Sequence, residues 1–326
     1  MPATKSAEPR VAMPDASLLR GSALTFDQTV PRALVDRGDT TTVLVTSWTR
    51  GDGDDLCAGA CWPRLGGYYS LLDHDTHDPL LVLETFRQVG LLAAHILGEI
   101  PEATMQVMRF VQFTAIPSAL RITAEPTEVA VATTSERLHQ PGSSIGQGDM
   151  AGALYRGEQV VGYARGRVLV PLNGLYPRVR GRDPRDIDLS SPKPLPPSIA
   201  PRDAGRDQER DVVISPGDGA GTYRLRVDPE HPNFFDNPTD HTPGMLLIEA
   251  MRQAVVAHSA DPYLIPVSMS AWLHRFVELD HPAEVTVRRD DTGFVTEISQ
   301  SGKRTTQARW QVASLAGENA GDHTDA

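Results

Sequence analysis

Glu249, Arg252 and Gln253 are the only polar residues between Met245 and Ala257. Spacings of three and four set all three on one face of a helix that is otherwise apolar. A helix apolar all round is buried, and an unpaired carboxylate or guanidinium in a core is costly, so these groups must meet each other or a ligand. Beside a substrate, Glu249 suits a general base whose pKa burial raises. Arg252 suits a phosphate or the Glu249 carboxylate, because its planar fork matches either, and Gln253 orients the pair. The competing use is structural: an ion pair that sets two helices against each other.

The stretch before this helix, "DNPTDHTPGM" from Asp236, supplies the rest of a site. Pro243 tolerates the missing donor at a helix start, and Gly244 lets a substrate approach the free first-turn amides. A thioester or ester carbonyl placed there meets an oxyanion site at Gly244 and Met245. His241 beside Asp240 is either an oriented acid or base or a loop histidine capping the helix.

The same triad recurs. "PLLVLETFRQVGLLAAHIL" from Pro79 matches "PGMLLIEAMRQAVVAHS" from Pro243, so that Glu84, Arg87 and Gln88 fall on Glu249, Arg252 and Gln253. Upstream, Tyr68 and Tyr69 fall on Phe234 and Phe235; downstream, "RFVQF" at Arg109 answers "RFVEL" at Arg275, and "ARGRV" at Ala164 answers "ARWQV" at Ala308. Matches in register over such a span indicate two copies of one unit. The first copy has no glycine after its Pro79, so its oxyanion site should be poorer. Its Asp75, His77 and Glu84 are expected to complete or line a cleft between the copies.

Each copy reads as strand-like runs, a long loop, one long helix and then a β-rich meander. A curved antiparallel sheet wrapped around a central helix satisfies that order. The expected fold is therefore α+β, a double hotdog. The expected boundaries are a disordered tail at 1–24, a first domain at 25–172, a Pro-rich extended linker at 173–210, a second domain at 211–316 and a disordered tail at 317–326.

Composition narrows the function. A net charge of −11 over 326 residues opposes a nucleic-acid footprint. No apolar run reaches a membrane span and the N-terminus lacks a signal-peptide core, so a cytoplasmic protein with no membrane partner is expected. His74 and His77 lie among aspartates but without a longer ligand pattern, and no metal or cofactor is expected. Lys5, Lys193 and Lys303 are the only lysines, all in tail, linker or turn, which disfavours Schiff-base chemistry. "GSSIG" from Gly142 fits a nucleophile-elbow pattern but follows Pro141 and precedes a strand-like run, so it reads as a turn.

"FFDNPTDHTPGMLLIEAMRQ" resembles the A-factor synthase (AfsA) family, and "HDPLLVLETFRQ" its N-terminal counterpart. The resemblance spans about Phe26 to Leu315. It implies a double hotdog that joins a β-ketoacyl group, from an acyl carrier protein or CoA thioester, to the hydroxyl of dihydroxyacetone phosphate. The ester can close to a butenolide phosphate on the way to γ-butyrolactone, butenolide or furan signals. Glu249 and Arg252 match the residues expected to be catalytic in that family. One departure is Asn237, where the family pattern has histidine; Asn237 can still hydrogen-bond a carbonyl. The alternatives are a hotdog thioesterase or dehydratase, or a non-catalytic acyl-ligand binder. A monomeric pseudo-dimer and a homodimer are both compatible with the repeat.

Overall fold

The structure is a computed structural model describing residues 8–64, 67–102, 104–137, 145–171, 174–183, 187 and 194–317. The first repeat contains strands β1 (Val45–Arg50) and β2 (Asp55–Trp62), helix α1 (Leu80–Ile96), then β3 (Val107–Ala115), β4 (Thr127–Arg137), β5 (Ile145–Arg156) and β6 (Gln159–Pro171). A short helix α2 (Tyr176–Arg180) follows. The second repeat gives β7 (Ile214–Pro216), β8 (Thr222–Leu225), helix α3 (Gly244–Ser259), then β9 (Leu264–Leu273), β10 (Ala283–Asp290), β11 (Gly293–Gln300) and β12 (Lys303–Ser314).

All twelve strands form one antiparallel sheet in the order β1-β2-β4-β5-β6-β3-β9-β12-β11-β10-β8-β7. From the β3·β9 seam outward, the two halves run in the same order of equivalent strands, as a pseudo-twofold axis through the seam requires. α1 packs on β2, β3 and β6, and α3 on β9, β10 and β11. Both helices contribute to one continuous core, from Leu80, Leu83 and Phe86 to Leu246, Ile248 and Met251. This is the double hotdog expected from the repeat.

Three expectations differ from the structure. The strongest is the "RFVQF"/"RFVEL" match: Arg109 lies within β3, whereas Arg275 lies beyond the end of β9. The true counterpart of β3 is "LIPVSMSAWL", whose Pro266 sits beside a register shift in the β9·β12 ladder. A proline without an N–H is tolerated at such a bulge, and it hides the strand from pattern reading.

The N-terminal segment is structured from within the expected tail. A 3-10 turn at Ala16–Leu19 is capped by Asp15, whose carboxylate accepts from the Ser17 amide at 2.7 Å. Leu18 and Leu19 pack on Ala132, Ala153 and Tyr155. Residues 318–326 of the other expected tail, and Gly142–Ser144 of "GSSIG", lie outside the described residues.

The third difference is the linker. A 3-10 turn at Pro201–Ala204 and a second at Glu209–Asp211 lead straight into β7, and Arg206 between them is 2% exposed. The first repeat has the same approach: 3-10 turns at Arg32–Val35 and Thr40–Thr42, then β1. The first turn of each pair ends in a left-handed residue, Asp36 (φ 50°) and Gly205 (φ 68°), which turns the following arginine inward. Proline richness concealed this lead-in, which carries a core residue. Among the described residues, no helix is long and apolar enough to cross a membrane.

Candidate active site

Two charged cages stand at matching places on the two central helices. On α3, Glu249 accepts from Arg252 Nε at 2.8 Å and Nη2 at 2.6 Å, from Gln253 at 2.7 Å and from Arg206 Nε at 3.1 Å. On α1, Glu84 accepts from Arg87 Nε and Nη2, both at 2.9 Å, from Gln88 at 2.8 Å and from Arg37. The glutamines are anchored alike. The Gln253 oxygen accepts from the Val213 amide and its NH2 donates to the Asp211 carbonyl; Gln88 pairs in the same way with Leu44 and Thr42.

Each cage also ties one repeat to the other. Arg206, from the second repeat, donates to the Tyr68 carbonyl at 2.8 Å and stacks on the Tyr68 ring at 4.3 Å; it lies 3.5 Å from Asp78. Arg37, from the first, donates to the Asn233 carbonyl at 3.1 Å and lies 3.4 Å from Asp236. Arg37 and Arg206 were not singled out in the sequence. The signal that could have found them is the aligned lead-in, "PRALVDR" against "PRDAGR".

The cages settle how burial acts on Glu249. Burial pushes its pKa up, as expected, but the charges of Arg206 and Arg252 and the hydrogen bonds from Arg252 and Gln253 outweigh it and hold the carboxyl at about 2. Glu84 is brought to about 2 by Arg37, Arg87 and Gln88 against the same burial. The raised pKa expected for a general base is therefore reversed. A carboxylate held by two guanidinium groups is a weak proton acceptor.

Open space lies elsewhere. A cavity of about 230 Å³ forms where the first repeat meets the "DNPTDHTPGM" loop. Its lining brings together Arg87, Asn237, His241, Gly244 and Met245 of the residues expected in the site, with Arg37 and Asp236 beside them. Glu84 stands one hydrogen bond behind Arg87, and Gln88 one further, behind Glu84. Glu249, Arg252 and Gln253 do not line it; their cage is closed, with Glu249 1% and Arg252 2% exposed. His77 is also away from it, buried with its Nε2 2.9 Å from the Thr127 hydroxyl, its ring edge on Trp62 and its pKa lowered to about 4 by burial. Asp75 does not line it either.

His241 is held as a base would be. Its Nδ1 lies 2.6 Å from Asp240 Oδ1, which also accepts from the Tyr176 hydroxyl at 2.7 Å. Burial opposes ionisation of Asp240, but hydrogen bonds from His241 and Tyr176 and the charges of His241 and Arg180 keep it at about 2. An ionised Asp240 accepts a hydrogen bond from Nδ1–H, which leaves the ring lone pair on Nε2. Phe276 packs edge-on against the imidazole at 4.7 Å. Arg180 braces the loop, donating to the Asp240 carbonyl at 3.2 Å and to both Glu278 oxygens at 2.6 Å. Asn237 donates to Asp36 at 3.1 Å across the repeats.

The two helix starts differ as the missing glycine suggests. Asp78 caps α1, accepting from the Leu80 amide at 2.9 Å. Among the described residues no side chain caps α3, whose first residues, Gly244 and Met245, line the cavity. First-turn amides lack intrahelical acceptors, so those of α3 can receive a negative oxygen. A Cβ on Gly244 would come within 3.3 Å of Met108 Sδ and 3.4 Å of Leu273 Cδ2.

A second cavity of about 380 Å³ adjoins the first, sharing Asp36, Arg87, Gln106 and Met108. It runs beside α1 past Phe86, Gly90, Ala94 and Met150 and is mainly apolar. Among the described residues there is no cluster of His, Cys, Asp and Glu able to hold a metal ion.

Comparison with known proteins gives a consistent picture. Residues 21–170 and 187–322 match the A-factor biosynthesis hotdog domain (AfsA). A 2-oxo-3-(phosphooxy)propyl 3-oxoalkanoate synthase of Streptomyces virginiae is 32% identical over 254 residues, covering 78% of this chain and 85% of that protein. The synthase of the same name from Streptomyces coelicolor is 31% identical over 301 residues, covering 89% and 94%. Among solved structures, the 12:0-ACP thioesterase from Umbellularia californica aligns with TM-score 0.50 over 82% of this chain and all of that one, at 12% identity, a likeness of fold.

Proposed function

Because this chain belongs to the A-factor biosynthesis hotdog family, we propose that it is an acyltransferase making a 2-oxo-3-(phosphooxy)propyl 3-oxoalkanoate. Split at its ester, that product is a 3-oxoacyl group and dihydroxyacetone phosphate. The acyl donor is a β-ketoacyl thioester on an acyl carrier protein or CoA. The ester can cyclise to a butenolide phosphate, which places the enzyme in the biosynthesis of γ-butyrolactone-type signals.

The observation that carries the mechanism is that His241 and the uncapped start of α3 share one cavity. The thioester carbonyl lies over the amides of Gly244 and Met245, with its alkyl chain in the adjoining apolar cavity. His241 Nε2 takes the proton of the acceptor's primary hydroxyl as its oxygen attacks the carbonyl carbon. Negative charge builds on the carbonyl oxygen, and the α3 amides stabilise it. Collapse breaks the C–S bond, and the imidazolium returns its proton to the leaving thiolate. Asp240 holds the reacting tautomer, and Asn237 is placed to hydrogen-bond a substrate carbonyl. Arg87, held by Glu84, contributes positive potential. Glu249, held by Arg252 and Gln253, binds Arg206 and positions α3.

Mass spectrometry of the protein incubated with a β-ketoacyl thioester, with and without dihydroxyacetone phosphate, tests the reading. A phosphorylated ester or butenolide formed only with the acceptor is expected. Thioester loss that ignores the acceptor would instead make the protein a thioesterase, and no turnover at all would favour an acyl-ligand binder.

A further inference from the structure

Four arginines are among the residues that line the first cavity, Arg37, Arg87, Arg109 and Arg275, in a chain whose net charge is −11. Arg37 and Arg87 are committed to Glu84 and Asp236. Arg109 and Arg275 are not. Arg109, on β3 of the first repeat, donates at 3.3 Å to the backbone carbonyl of His274. Arg275 follows β9 in the second repeat and is exposed. Among the described residues neither has a carboxylate in ion-pair reach. Burial lowers the Arg109 pKa with no charged group offsetting it. A partly buried cation without a counter-ion is costly and is relieved by an anion in the cavity.

We propose that Arg109 and Arg275 together bind the phosphate monoester of the acceptor at the mouth of this cavity, an assignment that rests on the acyl-transfer reading above. Two neighbouring arginines suit a phosphate dianion, since each guanidinium fork can give two parallel N–H···O bonds. Arg275 adjoins Phe276, whose ring packs on His241. The phosphate end of a short acceptor is thereby held near the base that deprotonates its hydroxyl. The pair joins one arginine from each repeat, so the subsite exists only where the repeats meet.

Phosphate also occurs in the pantetheine arm of the donor, and the test separates the two sources. Initial rates are measured for the wild type, R275Q, R109Q and the double variant with an N-acetylcysteamine thioester, which carries no phosphate. The acceptor is dihydroxyacetone phosphate or unphosphorylated dihydroxyacetone. The expected result is a KM for the phosphorylated acceptor raised roughly 10- to 100-fold in the double variant, as for loss of charge-assisted hydrogen bonds. KM for dihydroxyacetone and for the thioester should stay the same. An unchanged KM, an equal rise for both acceptors, or a rise seen only with CoA or carrier-protein donors would overturn the assignment.

Calorimetric titration with inorganic phosphate decides the case independently of turnover. Binding by the wild type that is lost in R275Q, a change at an exposed position, supports the subsite. Binding that persists in the double variant, or is absent from the wild type, sinks it. If phosphate binds as expected but no acyl transfer occurs, the subsite stands and the acyltransferase reading fails.

Discussion

The Arg206 guanidinium lies 2.9 Å from the Glu249 carboxylate and reaches it from a Pro-rich approach outside the sheet. Arg37 makes the equivalent bond to Glu84. Each arginine also touches the opposite repeat, so the ion pairs on the central helices fasten two halves of one sheet around a shared core.

Replacing Arg206 by Met should therefore destabilise the protein strongly, by about 3–5 kcal/mol, because it leaves a buried carboxylate with one cation fewer. Urea unfolding of R206M against wild type measures it. A loss below about 1 kcal/mol would mean that Arg252 and Gln253 satisfy Glu249 without it.

Histidine 241 and Glu249 should separate chemistry from architecture. His241→Gln is expected to lower kcat by roughly 10²- to 10⁴-fold, the usual contribution of a general base, with unfolding unchanged. Glu249→Gln should lower stability first. If E249Q is fully folded yet inactive while H241Q still turns over, the base assignment moves to the α3 cage.

Stability should fall in acid. Glu84 and Glu249 have folded-state pKa values of about 2, below their ordinary value of 4.5. Groups with depressed pKa values bind fewer protons in the folded state, so their stabilisation is complete above pH 4.5 and is lost as pH falls toward 2. Urea midpoints between pH 7 and pH 3 should drop below about pH 4.5, and E249Q should flatten that drop. A flat wild-type profile would contradict the depressed values.

The apolar cavity should set acyl-chain length. A Cβ on Gly90 already meets Met150 Cε at 3.1 Å, so Gly90→Leu projects into the cavity beside α1. The expected change is a fall of roughly 10-fold or more in kcat/KM for the longest accepted chains, with the shortest nearly unaffected, since each excluded methylene is worth about 0.8 kcal/mol. Rates across a chain-length series give the answer; a uniform loss would place the chain elsewhere.

Gly38 marks where the first repeat's lead-in presses on the second repeat's loop. An ideal Cβ there would lie 1.9 Å from the Asp236 carbonyl oxygen, which is backbone and cannot swing aside. Gly38→Ala should shift the loop carrying Asn237 and His241, lowering transfer rate and thermal midpoint together. A variant with wild-type rate and midpoint would show that the loop yields without consequence.

The duplication, the two central helices and most of the outer strands were legible in the chain because each is a local pattern. Apolar residues recur at helical spacing around Glu84 and Glu249, and short β-rich runs alternate with Gly/Asp turns. β9 was not legible, because Pro266 and a mixed burial pattern mask it. "RFVEL" misled because its likeness to "RFVQF" is a short local match, whereas strand equivalence follows from ladder register. The lead-in around Arg206 was hidden by prolines, which signal an extended chain and carry no information about what that chain packs against.

What the sequence determined by itself is the fold, the repeat and the residue types available for chemistry, since periodicity and motif spacing depend on neighbours along the chain. Only the tertiary structure decided which residues share a cavity. The Glu249 cage is sealed because Arg206 closes it. The loop with His241 lines one cavity with Arg87 of the other repeat because antiparallel pairing of β3 with β9 brings the two repeats together around one core. That relationship depends on the register of strands far apart in the chain, and no local pattern encodes it.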